Sequence, residues 1–543
     1  MSLIAPLSRP GPPPSPMCGV CGEPSAPEAL AETGWAANAA LERLAREHPG
    51  WRRTDGACPA CLQQALLVTL LERGESEFHE GLQRAWPLDA EAAFGAIPTP
   101  LRLHADPRLC GRGVTVALVD SAFFPHPDLA RPRNRIRAWV DASAPGLRVA
   151  RFAPDEMPGW PGADAARPAQ WHGLMTSTVA AGNGHLSRGL YRGLAPEAEV
   201  VLVQVMDERG RIGNEAVARA LGWIEAKAAD LRVRVVSLSL GGDPVEPLAG
   251  NPVDAAVGRL VARGVSVVVA AGNDGERRLV PPATAPEAIT VGGLDDRNTL
   301  DDRDVALWHS SYGETAFGSR KPEVVAPSLW VVAPVLPGSD VAREAAGLFC
   351  RRAAGDPAAE AILLERRLVS PHYQHVEGTS FAAPIVAAIV ATMLEANPAL
   401  SPRRVRELLV RAARRVPGAP AERQGHGAVG AGEATALARA DRHGDRADFA
   451  GSPVVDDGRV RFLLHEHAAR EVRVLGSWDG WSAPGLRARP VEDGIWEAEM
   501  PRPGAGRHGY KFLLDGVLWI ADPANPARAH DGHGGLNSLL DVR

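Results

Sequence analysis

Lysine is nearly absent: of 59 basic residues only Lys227, Lys321 and Lys511 are lysines, and the excess of arginine and alanine reads as codon bias. A basic surplus is missing too. Lys+Arg 59 against Asp+Glu 65 gives 59 − 65 = −6. Nothing is left over to neutralise phosphates, so no nucleic-acid partner is expected. Long apolar runs are lacking as well. The longest, Phe381 to Leu394, is broken by Pro384 and Thr392 and falls short of the roughly 20 residues of a membrane span, so no membrane partner is expected. The first residues (MSLIAPLSRPGPPPSPM) have no charged region followed by an apolar one, so no secretory signal is expected. Cysteine is sparse, six residues, and four of these form two C-x-x-C pairs. That argues against a disulfide framework and for a metal site in a reducing, cytoplasmic compartment.

What is present is globular. With 45% hydrophobic and 23% charged residues, the chain is excluded from the disordered and fibrous classes. Its 543 residues allow three or four domains at roughly 150 residues each. Residues 1–16 are Pro-rich and read as disordered. Residues 17–92 hold the cysteine pairs and two helical patterns, one near Ala36–Glu47 with Ala40, Leu41, Leu44 and Ala45 on one face, the other from Cys58 to Arg73. From 93 to 440 short apolar strands (Val114–Val119, Val200–Val205, Val233–Leu240, Val265–Ala271) alternate with helices, which predicts a doubly wound, mostly parallel α/β sheet. Asn251 and Pro252 punctuate one helix start, and Ser401 and Pro402 another. Residues 441–458 read as a linker. Residues 459–543 show short alternating strands and predict a small all-β sandwich. No internal repeat is apparent.

Three residues form a candidate nucleophile system. Ser380 stands in G-T-S-F-A-A-P before an apolar helical run. A serine hydroxyl needs a base, and His172 in W-H-G-L-M-T-S-T-V-A-A-G supplies one. The imidazole in turn needs an orienting carboxylate. Asp120 ends a predicted buried strand, where sites of parallel sheets form. The order Asp, His, Ser is one of the known triad orders.

On these motifs residues 95 to about 440 resemble the subtilisin-like serine proteases. V-A-L-V-D-S-A with H-P-D-L resembles the Asp motif of that family, H-G before a small-residue helix its His motif, and G-T-S-F-A-A-P its Ser motif. S-L-S-L-G-G resembles its substrate-pairing strand, here Ser239, Leu240 and Gly241, and A-A-G-N-D-G the segment of its oxyanion asparagine, here Asn273. The resemblance implies a serine endopeptidase acting on polypeptides. Asp128 in H-P-D-L resembles a calcium ligand of some members, which adds calcium to the cofactors implied. The chain departs from the pattern at Ala122, Leu174 and Met175, and residues 336–375 form a helical insert before the Ser motif. No stretch between Leu62 and Glu91 is long enough for the usual inhibitory pro-domain. The rival reading is a catalytically dead scaffold of the same fold that binds peptide and glycan.

Two further segments carry chemistry. Cys18-Gly-Val-Cys21 resembles a zinc knuckle and Cys58-Pro-Ala-Cys61 opens a helix, together a four-cysteine set suited to one structural zinc. In the carboxy-terminal strands, V-L-G-S-W-D-G-W, Y-K-F-L-L-D-G, W-I-A-D-P and G-L-N-S-L-L-D-V resemble the immunoglobulin-like glycogen-binding module of the AMP-activated protein kinase β subunit. That resemblance implies Trp481, Trp519, Lys511 and Asn537 as contacts to an α-glucan such as glycogen.

Overall fold

The structure is a computed structural model. It describes residues 17–20, 38–57, 59–73, 97–154, 156, 158, 167–244, 250–301, 303–315, 320–441, 452–456, 458–466, 469–482, 484–492, 495–516, 518–522, 524, 525, 527–531 and 536–542. Two compact units make up the chain: residues 1–94 with 345–366, and residues 95–344 with 367–543.

In the first unit, helices α1 (Asn38–Glu47) and α2 (Pro59–Arg73) pack together. α1 buries Ala40, Leu41 and Leu44 as its pattern predicts, but Ala45 is exposed. Arg43 is buried instead, its guanidinium held by Glu47 and Glu72. A charged residue can take a helix's inner face when carboxylates meet its head. Trp51 is buried and its indole N–H donates to Gly56 O at 2.7 Å. The insert helix spanning Pro357–Glu365 belongs to this unit, a membership no local pattern signals.

The second unit is built on an 11-stranded sheet. Its central strands β1 (Thr115–Asp120), β2 (Ile136–Asp141), β3 (Glu199–Gln204), β4 (Val233–Leu238), β5 (Ser266–Ala270) and β6 (Ile289–Asp295) run parallel in the order β6-β5-β4-β1-β3-β2. Alternate residues bury into two different cores: Val116, Leu118, Val200 and Leu202 on one face, Ala117, Val119, Val201 and Val203 on the other. Burial on both faces is why these strands read as unbroken apolar runs.

Helix α3 (Trp171–Ala181) and the apolar helix α4 (Thr379–Ala396) cover the first face. Among the described residues α4 alone is long and apolar enough to cross a membrane, and most of it is buried in this core. The predicted caps form. Asn251 Oδ1 accepts from Asp254 N at 2.8 Å, and Ser401 Oγ accepts from Arg404 N at 3.2 Å.

The carboxy-terminal region folds into two antiparallel sheets over one core, to which Phe462, Val474, Tyr510, Phe512 and Leu540 contribute. A strand at Val454–Asp456 pairs with Arg459–Arg461, so ordered sheet begins inside the stretch read as linker. His426 Nδ1 lies 3.6 Å from Glu466 Oε1, where this region meets the parallel-sheet domain.

Candidate active site

Strand β1 ends on Asp120, which is buried at the carboxyl edge of the sheet. Its Oδ1 lies 2.7 Å from His172 Nδ1. Three more donors hold the carboxylate: Ser121 N to Oδ1 at 2.6 Å, Ser121 Oγ to Oδ1 at 3.1 Å, and Thr176 Oγ1 to Oδ2 at 2.8 Å. Thr176 was not singled out by the motif, yet it stands four residues after His172 and so shares its helix face. His172 enters through the second residue of α3, whose start is pressed onto the Asp120 loop. A Cβ added at Gly173 would lie 2.2 Å from Ala122 O. Only glycine fits there, which accounts for the His-Gly pair.

Ser380 begins α4. Its hydroxyl oxygen lies 3.5 Å from Ser239 O, and Ser239 Oγ donates to Ser380 O at 2.8 Å. The ring of the following residue, Phe381, lies 6.0 Å from the His172 ring, so the serine and histidine helices meet at the end of β1.

Asn273 is oriented by Thr379, the residue beside Ser380. Its Oδ1 accepts from Thr379 N at 3.0 Å and from Thr379 Oγ1 at 2.7 Å. That fixes the amide and frees Nδ2. A Cβ built on Gly378 would stand 3.4 Å from Asn273 Nδ2 and 3.8 Å from Ser380 N, so both N–H groups border one small space that glycine leaves open. Gly378 also has φ +129°, which glycine tolerates. Two donors converging next to a serine hydroxyl are what a tetrahedral oxyanion requires.

Ser239 and Leu240 run on past β4 buried, while Gly241 is exposed. Gly241 is closely backed: a Cβ there would meet Val280 Cγ2 at 2.9 Å. Of the departures from the motif, Leu174 and Met175 are buried, with Met175 in the core beneath α3. They change packing and leave the triad atoms alone.

Asp128 does not have the surroundings of a cation ligand. Oδ2 accepts from Tyr373 Oη at 2.7 Å and Oδ1 from Leu186 N at 3.1 Å, in a fully buried position. With both oxygens engaged by protein donors, the residue fits a buried hydrogen-bonded tie and not the calcium site that the motif suggested.

Of the cysteine set, Cys18 is buried and Cys61 half-buried, while Cys21 and Cys58 lie outside the described residues. Gly19 packs on the segment leading into the second pair, since a Cβ there would lie 3.1 Å from Trp51 Cδ1 and 3.7 Å from Gly56 O.

The four carbohydrate candidates share one face. The Trp481 and Trp519 rings lie 6.3 Å apart at 62°, and Trp519 is 40% exposed. Trp519 pairs with Leu513, two residues along its strand from Lys511 and so on the same face. Tyr510 pairs with Ser538, which brings Lys511 and Asn537 side by side on that outer face. Lys511 is ion-paired with Asp531, a residue the motif did not indicate.

The profile of the subtilase family matches residues 111–427, more than half of the chain. Serine protease AprX of Bacillus subtilis (strain 168) is 31% identical over 314 residues, covering 55% of this chain and 61% of AprX. A probable subtilase-type serine protease of Deinococcus radiodurans is 27% identical over 409 residues, covering 72% of this chain and 47% of that protein. The chain thus spans less than two thirds of the length of either relative. A solved structure of fervidolysin from Fervidobacterium pennivorans aligns at 20% identity with a TM-score of 0.46, covering 78% of this chain and 57% of that one.

Proposed function

The chain belongs to the subtilase family, and from that premise we propose that it is a serine endopeptidase working through an acyl-enzyme. The observation that carries this is the 2.7 Å contact of Asp120 with His172 Nδ1, set beside an Asn273 amide tied to the residue next to Ser380. Ser380 Oγ attacks the scissile carbonyl carbon while His172 Nε2 takes the hydroxyl proton. The carbonyl oxygen, now an oxyanion, accepts from Asn273 Nδ2 and Ser380 N–H. When the C–N bond breaks, the proton passes from Nε2 to the leaving amine and an ester remains on Ser380. Water, deprotonated by His172, then releases the acid and restores the serine. Ser239 to Gly241 offers backbone to an extended peptide.

A fluorophosphonate probe reacts only with an activated serine. Full-length protein should take up the probe and cleave casein, and Ser380→Ala should do neither. Folded wild-type protein that stays unlabelled would support the scaffold reading instead.

Two accessory roles belong to the same proposal. The outer face of Trp481, Lys511, Trp519 and Asn537 is read as an α-glucan site on an immunoglobulin-like sandwich. A tryptophan pair, Trp519 exposed and Trp481 half-buried, beside polar groups suits sugar rings, which present both C–H faces and hydroxyls. The full chain should be retarded on native gels containing glycogen, and Trp519→Ala should lose most of that retardation. Equal migration with and without glycogen would leave the face as a protein-docking surface. Cys18, Cys21, Cys58 and Cys61 would hold one structural zinc as thiolates, which requires the reducing, cytoplasmic compartment expected from the sequence. Elemental analysis should give one zinc per chain, lost in a Cys18→Ser/Cys58→Ser double variant. Metal retained by that variant would sink the assignment.

A further inference from the structure

Among the described residues, one hydrogen bond holds the His172 ring, from Nδ1 to Asp120. A single bond at one edge of a ring is a pivot. It leaves Nε2, on the far side, free to swing, and Nε2 is the atom that must meet Ser380. Two aromatic rings stand against the imidazole. Phe381 lies at 6.0 Å and 44°, and Trp171 at 5.1 Å and 87°. Phe381 is buried in the core beneath α4 and is held there by its own packing. Trp171 is 47% exposed, so core burial does not account for its place. The ring it meets is that of the general base.

We propose that Trp171 is a positioning residue for the general base: with Phe381 it brackets the His172 imidazole and limits the swing of Nε2 about the Asp120 hydrogen bond. The inference rests on the endopeptidase reading. Perpendicular aromatic pairs attract through the positive edge and negative face of their rings, which gives the contact a preferred orientation as well as bulk. Loss of such a bracket acts on turnover, because misplacing a reacting group by about 1 Å can cost on the order of a hundredfold. Of the elements around the ring, β1 contributes the charged Asp120, while α3 and α4 contribute Trp171, Ser380 and Phe381.

The test is peptide hydrolysis by full-length Trp171→Ala and Trp171→Phe, with kcat expressed per fluorophosphonate-labelled site, so that misfolded protein does not count. Trp171→Ala should lose about tenfold in kcat with KM within twofold, and Trp171→Phe should recover most of it. A kcat per labelled site within twofold of wild type overturns the bracket. So does a raised KM at constant kcat, which would make Trp171 a substrate contact. If wild-type protein neither labels nor cleaves, the endopeptidase reading itself fails, and that outcome is separate from the other two.

Discussion

At His172 two effects oppose each other. Burial disfavours the imidazolium and pulls the pKa down, while the Asp120 carboxylate, by charge and by hydrogen bond, pulls it up. The carboxylate prevails, so the pKa stands above the ordinary value of about 6.5. A general base works unprotonated. The rate should therefore rise with pH through a midpoint above about 6.5. Asp120→Asn should remove that upward pull and lower kcat by roughly 10⁴, a magnitude known from another serine protease with this triad. A pH–rate profile of kcat/KM checks both, and a wild-type midpoint below 6.5 contradicts the assignment. The proposed pairing with substrate makes a second demand, at Gly241. A methyl group there would press on Val280 Cγ2 at 2.9 Å and displace the segment. Gly241→Ala should raise KM by about tenfold while Ser380 still labels.

At the scale of elements, the strand Tyr373–Val376 runs directly into Gly378, Thr379 and Ser380. It pairs antiparallel with Val331–Pro334, and at its start Tyr373 Oη donates to Asp128 in the segment that follows β1. The end of the insert is thereby tied to the loop that follows Asp120, just upstream of Ser380. Tyr373→Phe keeps the ring and deletes the donor, leaving a buried carboxylate oxygen short of a partner. The expected loss is about 1–3 kcal/mol of stability, read from urea unfolding. A change below about 0.5 kcal/mol, within the range of ordinary surface substitutions, would show the tie to be dispensable.

For the molecule as a whole, acid sensitivity follows from a buried histidine. His126 is fully buried, and its pKa is pushed down to about 4 by burial, against the pull of Asp128. Folded His126 is neutral, while in the unfolded chain it protonates below about 6.5. The unfolded state therefore binds the extra proton between these values, and stability falls as pH drops from about 6.5 toward 4, by up to about 1.4 kcal/mol per pH unit. His126 Nδ1 accepts from Asp128 N at 3.2 Å, a capping role that an asparagine oxygen can fill. His126→Asn should accordingly flatten the decline of the thermal midpoint between pH 6.5 and 4.5. An unchanged slope would place the acid sensitivity elsewhere.

The sequence by itself determined what depends on near neighbours. The apolar strands, the caps at Asn251 and Ser401, and the glycines beside His172 and Ser380 were legible because each rests on periodicity or a single turn. The meeting of Asp120 and His172 was legible because each stands in a local motif, even though the two are far apart in the chain. Tertiary structure alone decided which distant groups meet. Tyr373 reaches Asp128 across 245 positions, and Phe381 joins Trp171 at the His172 ring from a different helix. The insert helix Pro357–Glu365 joins the unit of residues 1–94, and Arg43 turns inward because Glu72 of another helix meets it. No window of sequence holds both partners of such contacts. Their energy appears only once strand order and helix packing have brought the segments together.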